Sequence, residues 1–425
     1  MTYPFWLKKL LVESGLGNWI PGAQTQIPDA CHILPLCTDK FLQGPLDRLS
    51  EFDDPCRQVG HEFLDLSREH VMGLGSAVKS PIAVQTTRDL LATGETVIRE
   101  KVSQFLGTYI EHQWDPETEI LITTGPQQAL QIILDTFINP GEKVLLTDPC
   151  ARHHHHLAAF HGAQIQWLSL RQEEGRLKFS EREMKYLMQK SKLAIFSLPS
   201  NPMGGCFHED DLATISVLAS KNRCLLFWDT SLMTLSMGEK IHHPDALRQM
   251  REQSLFGGCM GPAFGPMASQ AGWLCASSRI LSPCKTLVQM QMRIPGLQEQ
   301  FALAEAIKSC NTTEHSNLLQ RLRQNRSHAY QRLCAMGFEP YWPQAGCHFW
   351  IPVWQKLVCS SDMTNQFATR SQVLVSRGDL NGPSGNAYVR VSYGVDESRL
   401  DEALRRMAIQ MNGESQLPAA SKLAA

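Results

Sequence analysis

"KLAIFSLPSNPMGGCFHEDDLATISVLASKNRCLLFWDTSL", residues 192–232, decides the fold. It opens and closes on short apolar runs, "KLAIFSLPS" and "RCLLFWDT", and between them "EDDLATISVLASKN" reads as a helix. Two strands that are apolar nearly throughout cannot leave a face in water, so they belong to a parallel sheet covered by helices on both sides.

The same alternation extends upstream. "TVIREKVSQFLGTYI" (96–110) has apolar residues recurring at three and four and predicts an amphipathic helix. "EILITTG" predicts a strand, "PQQALQIILDTFI" a helix, "NPGEKVLLTD" a turn and strand, "AQIQWLSL" a strand and "SEREMKYLMQK" a helix. Downstream of about residue 285, helical patterns from "LQEQFALAEAIKS" to "LLQRLRQNRSHAYQRLCAMG" lead to strand signals "GCHFWIPV", "SQVLVSRG" and "AYVRVSYG" and a final helix "SRLDEALRRMAIQM". The fold class is α/β. It has a large domain over 61–285 with a mostly parallel, helix-covered sheet, and linking helices with a smaller mixed α/β C-terminal domain over 286–425. Residues 1–60, rich in Pro and Gly with short helical pieces such as "FWLKKLLVES", read as an N-terminal arm.

Composition bounds the partners. Hydrophobic residues make up 43% and charged residues 19%, as in a soluble globular chain, and a formal charge of -2 offers no electrostatic footprint for nucleic acid or an anionic membrane. No apolar run approaches the roughly 18 residues of a membrane span. Thirteen cysteines, scattered from Cys31 to Cys359 without metal-ligand pairing, read as mostly buried thiols of a cytoplasmic protein. "SKLAA" (421–425) resembles the start of an expression-vector tail and reads equally well as an ordinary frayed terminus.

In open parallel sheets ligands bind beyond the carboxyl ends of the strands. Those ends fall at Thr124 to Gln128, Pro149 to His154, Ser200 to Gly204 and Asp229 to Leu232. Asn201 and Asp229, 28 residues apart, bring an amide and a carboxylate to neighbouring strand ends. That pair suits a planar heteroaromatic ligand, with the carboxylate keeping a ring nitrogen protonated and the amide donating to a ring hydroxyl. Taken singly, Asn-Pro is a common turn start and an aspartate after a strand a common helix cap.

With these motifs in order, the chain from about 60 to 412 resembles the fold-type I pyridoxal phosphate (PLP) enzymes, the aspartate aminotransferase superfamily. "ILITTGPQQAL" resembles the family's phosphate loop, "SNPMGG" its Asn-Pro-x-Gly motif, "WDTSL" the strand end bearing the ring-nitrogen aspartate, and "YVRVSYG" its late arginine strand. The resemblance implies that Gly125, Pro126, Gln127, Asn201 and Asp229 contact PLP. It implies that Arg390 grips an amino-acid α-carboxylate, and that the protein is a homodimer with its arm reaching the partner. A guanidinium suits a two-pronged grip on carboxylate.

The family's lysine falls in a Ser-x-x-Lys pattern ahead of a Gly-aromatic strand. Counting back from "AGWL" (271–274), its position is Ala263, 34 residues beyond Asp229; Lys240 comes too early and Lys285 lies past the strand. An amine there forms the resting Schiff base and then moves the α-proton, and alanine does neither. Gln270 stands where the phosphate-gripping arginine is expected, Leu232 where a tyrosine is, Ala151 near the ring-stacking aromatic, and Pro126 has no N–H for the phosphate. Within "RHHHHLAAFH" (152–161), His153 or His154 is a candidate to replace that aromatic, the bland alternative being a solvated helix turn. No metal is expected, because four successive helical residues point in different directions. "NPMGGC" with "LLFWDTSLMTL" also resembles capreomycidine synthase and its cyclising relatives.

The resulting expectation is a PLP-dependent enzyme acting on an amino acid through an external aldimine. Its reaction would be transamination or elimination, replacement or cyclisation, in a chain nearly inactive because a lysine has become Ala263. The alternatives are a natural lysine-less pseudoenzyme and an α/β domain for a different ligand.

Overall fold

The computed structural model describes residues 64–65, 93–110, 113–173, 175–237, 250–291 and 294–412. The expected arm at 1–60, Lys240 and the tail at 421–425 lie outside the described residues. Helix α1 (Thr96–Ile110) leads into β1 (Ile120–Thr123), α2 (Pro126–Phe137), β2 (Lys143–Asp148), α3 (Arg152–Phe160) and β3 (Gln164–Ser169). Then follow α4 (Glu181–Met188), β4 (Leu193–Ser197), α5 (Glu209–Asn222), β5 (Leu225–Asp229), β6 (Ser254–Cys259) and β7 (Gly272–Ala276). These seven strands form one sheet in the order β1-β7-β6-β5-β4-β2-β3. The strands from β6 across to β3 pair in parallel; β7 runs antiparallel to both β6 and β1.

Strand geometry divides the interior in two. Successive side chains of a strand point to opposite faces, and both faces here are apolar. Leu121, Leu146, Ile195, Phe227, Leu255 and Leu274 join one buried cluster with residues of α2. Their chain neighbours Ile122, Leu145, Phe196, Trp228, Phe256 and Trp273 join a second, larger one with residues of α1 and α5. This is why the strands carry no polar alternation. Within the larger cluster Phe196 and Trp228 stack with ring centroids 4.9 Å apart. The Trp228 indole N–H donates to Ser254 Oγ at 3.2 Å, in the dry interior. Ser254→Ala leaves that donor unsatisfied and is expected to lower stability by about 1–3 kcal/mol in urea unfolding.

The rest of the chain is helical and then mixed. Helices α6 (Ser278–Gln291), α7 (Leu297–Ser309) and α8 (Thr313–Ala335) precede a second, antiparallel sheet. Its strands are β8 (His348–Pro352), β9 (Ser376–Arg377) and β10 (Tyr388–Ser392), in the order β8-β10-β9. α9 (Ser360–Gln366) lies between β8 and β9, and α10 (Glu397–Asn412) closes the described chain. The expected strand at "SQVLVSRG" is broken: Val373–Leu374 pairs with Leu64–Asp65, while only Ser376–Arg377 joins the second sheet. A two-stranded hairpin, Arg171–Glu173 with Arg176–Lys178, was not anticipated, since three-residue strands leave too short a pattern to read.

Two anchors fix the second region to the carboxyl ends of the first sheet. Asp148 accepts from the backbone N–H and hydroxyl of Ser384, and the Asn381 side chain and carbonyl bond the backbone of Cys150. Among the described residues no helix is long and apolar enough to cross a membrane, and all ten cysteines are free thiols, most of them buried.

Candidate active site

A cavity of about 280 Å³ opens at the carboxyl ends of the strands, near the lower limit of volumes usual for small-molecule sites. Each wall comes from the turn after a strand. The turn after β1 supplies Pro126 and Gln127, and the first turn of α3 supplies His153. Ser197 ends β4, with Pro199 and Asn201 after it; Asp229 ends β5, with Ser231 and Leu232 after it; Cys259 ends β6, with Pro262 after it; Ser269 precedes β7. The register explains the convergence: Ser197 pairs with Asp229, so β4 and β5 end level, and Asp229 pairs with Gly257, so β6 runs two residues further to Cys259.

Close backbone contact holds these turns together. Gly125, at φ +93°, caps α2 and lets Pro126 start the helix. A Cβ on Gly125 would sit 3.0 Å from the Ser269 carbonyl oxygen, and one on Gly272 would sit 2.2 Å from that of Gly258.

Asp229 is the charged centre. Its Oδ1 accepts from the backbone N–H (3.0 Å) and hydroxyl (2.5 Å) of Ser231. Its Oδ2 lies 3.2 Å from His154 Nε2, a hydrogen bond, and 3.2 Å from His153 Nε2, which is out of line for one. Burial alone would raise the carboxyl's pKa, but the contacts with His153 and His154 outweigh it and hold the group well below the usual carboxylate range. His154 is fully buried, and burial first, then His153 beside it, lowers its pKa from 6.5 to about 4. It is therefore a neutral N–H donor to a carboxylate.

That shift sets a pH dependence. The folded chain binds fewer protons at His154 than the unfolded chain between pH 6.5 and about 4. The stability this buried pair contributes is thus complete above the usual imidazole range and is lost as pH falls toward 4, and Asp229 acts in the same direction at lower pH. The melting temperature is expected to drop between about pH 7 and pH 5, and His154→Asn to flatten that slope. A slope identical in the variant would remove His154 from the account.

The structure brings some expected residues together and not others. Pro126, Gln127, His153, Asn201, Asp229 and Leu232 line the cavity. His154 is not on the lining and lies behind it, bound to Asp229. Ala263 also lies off the lining: it is fully buried in the larger apolar cluster, and Pro262 before it faces the cavity. Gln270 is exposed, with Ser269 on the wall in its place. Arg390 is buried on β10, donates to Ser376 Oγ at 3.2 Å, and is not part of the lining. Lys285 donates to the Glu117 carbonyl, near the amino end of β1 and so at the opposite edge of the sheet. Ser197, Cys259 and Ser269 were missed, and Ser231, inside the expected strand end Asp229 to Leu232, had been given no role.

The donor set can be tested against PLP. Asp229 offers an ionised carboxylate, and Asn201 Oδ1 and Ser197 Oγ are buried without hydrogen-bond partners. These fit a protonated ring nitrogen and ring hydroxyl. Among the described residues no lysine or arginine lines the cavity, so nothing there fits covalent attachment, and the phosphate would meet only neutral groups such as Gln127 and Ser269. Cys259 is no substitute nucleophile, because burial, with Asp229 adding to it, pushes its thiol up to about 12.

Known proteins share this architecture. The aspartate aminotransferase of Thermus thermophilus, solved with maleate, superposes with a TM-score of 0.75 at 18% identity, over 86% of this chain and 96% of that one. The substrate-bound BacF structure from Bacillus subtilis gives 0.77 at 16% identity, over 85% and 94%. In sequence, the aromatic-amino-acid aminotransferase 2 of Thermococcus litoralis is 24% identical over 313 residues, 73% of this chain and 80% of the relative. The profile of one family matches residues 78–407, a span that holds the whole seven-stranded sheet, the cavity and β10. The chain belongs to the aminotransferase class I and II family.

Proposed function

We propose that this chain is a lysine-less member of its family that takes PLP, and an amino acid carried on it, through non-covalent contacts and turns neither over at an appreciable rate. One observation carries the reading: a buried, ionised Asp229 faces a cavity that has the hydrogen-bonding groups for a pyridine ring and, among the described residues, no amine. Bound PLP supplies an electron sink for bonds at an α-carbon. Asp229 would hold a proton on the ring nitrogen, with His154 and Ser231 fixing the carboxylate's orientation. Asn201 Oδ1 would accept from the ring hydroxyl, and Leu232 would pack against the ligand. Among the described residues no lining side chain is an amine able to displace a bound amino acid or to shuttle its α-proton. A single exchange of a lysine for Ala263 does not account for this pattern, since Pro262 and not Ala263 faces the cavity, and arginine is missing as well.

The test is to add PLP to the full chain, reduce with borohydride and weigh the intact protein. Saturable quenching of tryptophan fluorescence without a fixed pyridoxyl mass is expected. Pro262→Lys, which puts an amine on the wall, is expected to gain the fixed mass and visible absorbance. A stoichiometric label on a native lysine, Lys240 included, would overturn the reading. So would Ala263→Lys acquiring both the label and turnover, because that would identify position 263 as the family's lysine.

A further inference from the structure

We propose that His153, His154 and Asp229 form a binding site for a divalent transition-metal ion of the zinc class, open to the cavity, and that the ion and a ring nitrogen compete for Asp229 Oδ2. Four successive histidines on a helix cannot share one ion, but two of them can converge with a residue from a different element. Both rings lie in the first turn of α3, with centroids 4.4 Å apart and planes at 76°, and their Nε2 atoms turn to the same carboxylate oxygen.

Two of the three donor separations match the edge of a coordination tetrahedron. Metal–nitrogen and metal–oxygen bonds of about 2.0–2.1 Å in a tetrahedron set neighbouring donors about 3.3 Å apart. Here both nitrogen–oxygen separations are 3.2 Å, and all three donor atoms lie within 4.8 Å of one another. Ser231 occupies Oδ1 through two hydrogen bonds, which leaves Oδ2 as a single-oxygen ligand of fixed direction. Two imidazoles and one carboxylate are a donor set suited to zinc, cobalt, nickel or copper. Charge points the same way: the cavity holds a buried carboxylate with no lysine or arginine on its walls among the described residues, and a dication supplies positive charge there. The cavity side leaves the remaining coordination position to water or a ligand.

The metal site stands apart from the PLP reading, whereas the competition for Oδ2 rests on it. The metal-stripped full chain is titrated with Co²⁺ and followed by its visible absorption. One saturable equivalent is expected, with His153→Ala weakening binding at least about a hundredfold and His156→Ala, on the same histidine run, leaving it unchanged. His153 is partly exposed and its loss spares the interior, so folding of that variant can be verified first by circular dichroism. No saturable band, or equal binding by His153→Ala, or equal losses in the two variants, would overturn the site. Competition uses a PLP analogue lacking the aldehyde, which avoids chelation by the ligand itself. Bleaching of the cobalt band as the analogue binds supports the shared oxygen. Simultaneous binding of both overturns the competition. Analogue binding without any cobalt band leaves the proposed function standing and sinks the metal site, and a cobalt band without analogue binding does the reverse.

Discussion

Asp229→Ala is expected to destabilise the chain by roughly 3 kcal/mol and to weaken binding of a pyridoxal ligand by a hundredfold or more. The carboxylate is the acceptor for Ser231 N–H, the Ser231 hydroxyl and His154 Nε2, and it is almost wholly buried. Removing it strands those donors at a cost of about 1–3 kcal/mol each, partly recovered where cavity water can enter. The stability half is read from chemical denaturation and the binding half from fluorescence titration with the aldehyde-free analogue. Unchanged affinity in a folded variant would mean that the ligand does not meet this carboxylate.

Gly272→Ala is expected to cost about 3 kcal/mol or more, or to prevent folding, for a reason unrelated to charge. Its Cβ would lie 2.2 Å from the Gly258 carbonyl oxygen and 2.9 Å from the Gly125 Cα. Both obstacles are backbone, so no side-chain rotation relieves them. Gly272 starts β7, the antiparallel strand, between Cys259 of β6 and Thr123 of β1. Forcing these apart would also displace the turn carrying Pro126 and Gln127, so ligand affinity should fall with stability. Gln270→Ala, two residues away and exposed, should leave the denaturation midpoint within error. Equal midpoints for the two variants would show that these strands are not in the close contact described.

Much of the site was legible because strand ends are legible. Asn201 and Asp229 follow apolar runs whose lengths are local properties of the chain, and parallel topology then sends both to the same edge. Ala263 and Gln270 are not on the cavity lining while their neighbours Pro262 and Ser269 are, and the cause is local too. Between β6 and β7 the chain makes two four-residue helical turns hinged at Gly265, where φ is +89°. Side-chain direction in such a segment follows each backbone dihedral, not a period, so counting back from Trp273 locates the turn but not the residue that faces inward.

The sequence by itself determined the sheet, its helix cover and the family, since apolar periodicity and motif order are written along the chain. It also determined the absence of a lysine from the turn before β7. Only the tertiary structure decided that His153 and His154 meet Asp229, 75 residues further along the chain from His154. It also decided that Pro262 and Ser269 face the cavity while Arg390 and Ala263 do not. The physical reason is that such contacts depend on the register between strands distant in sequence, which no local pattern encodes.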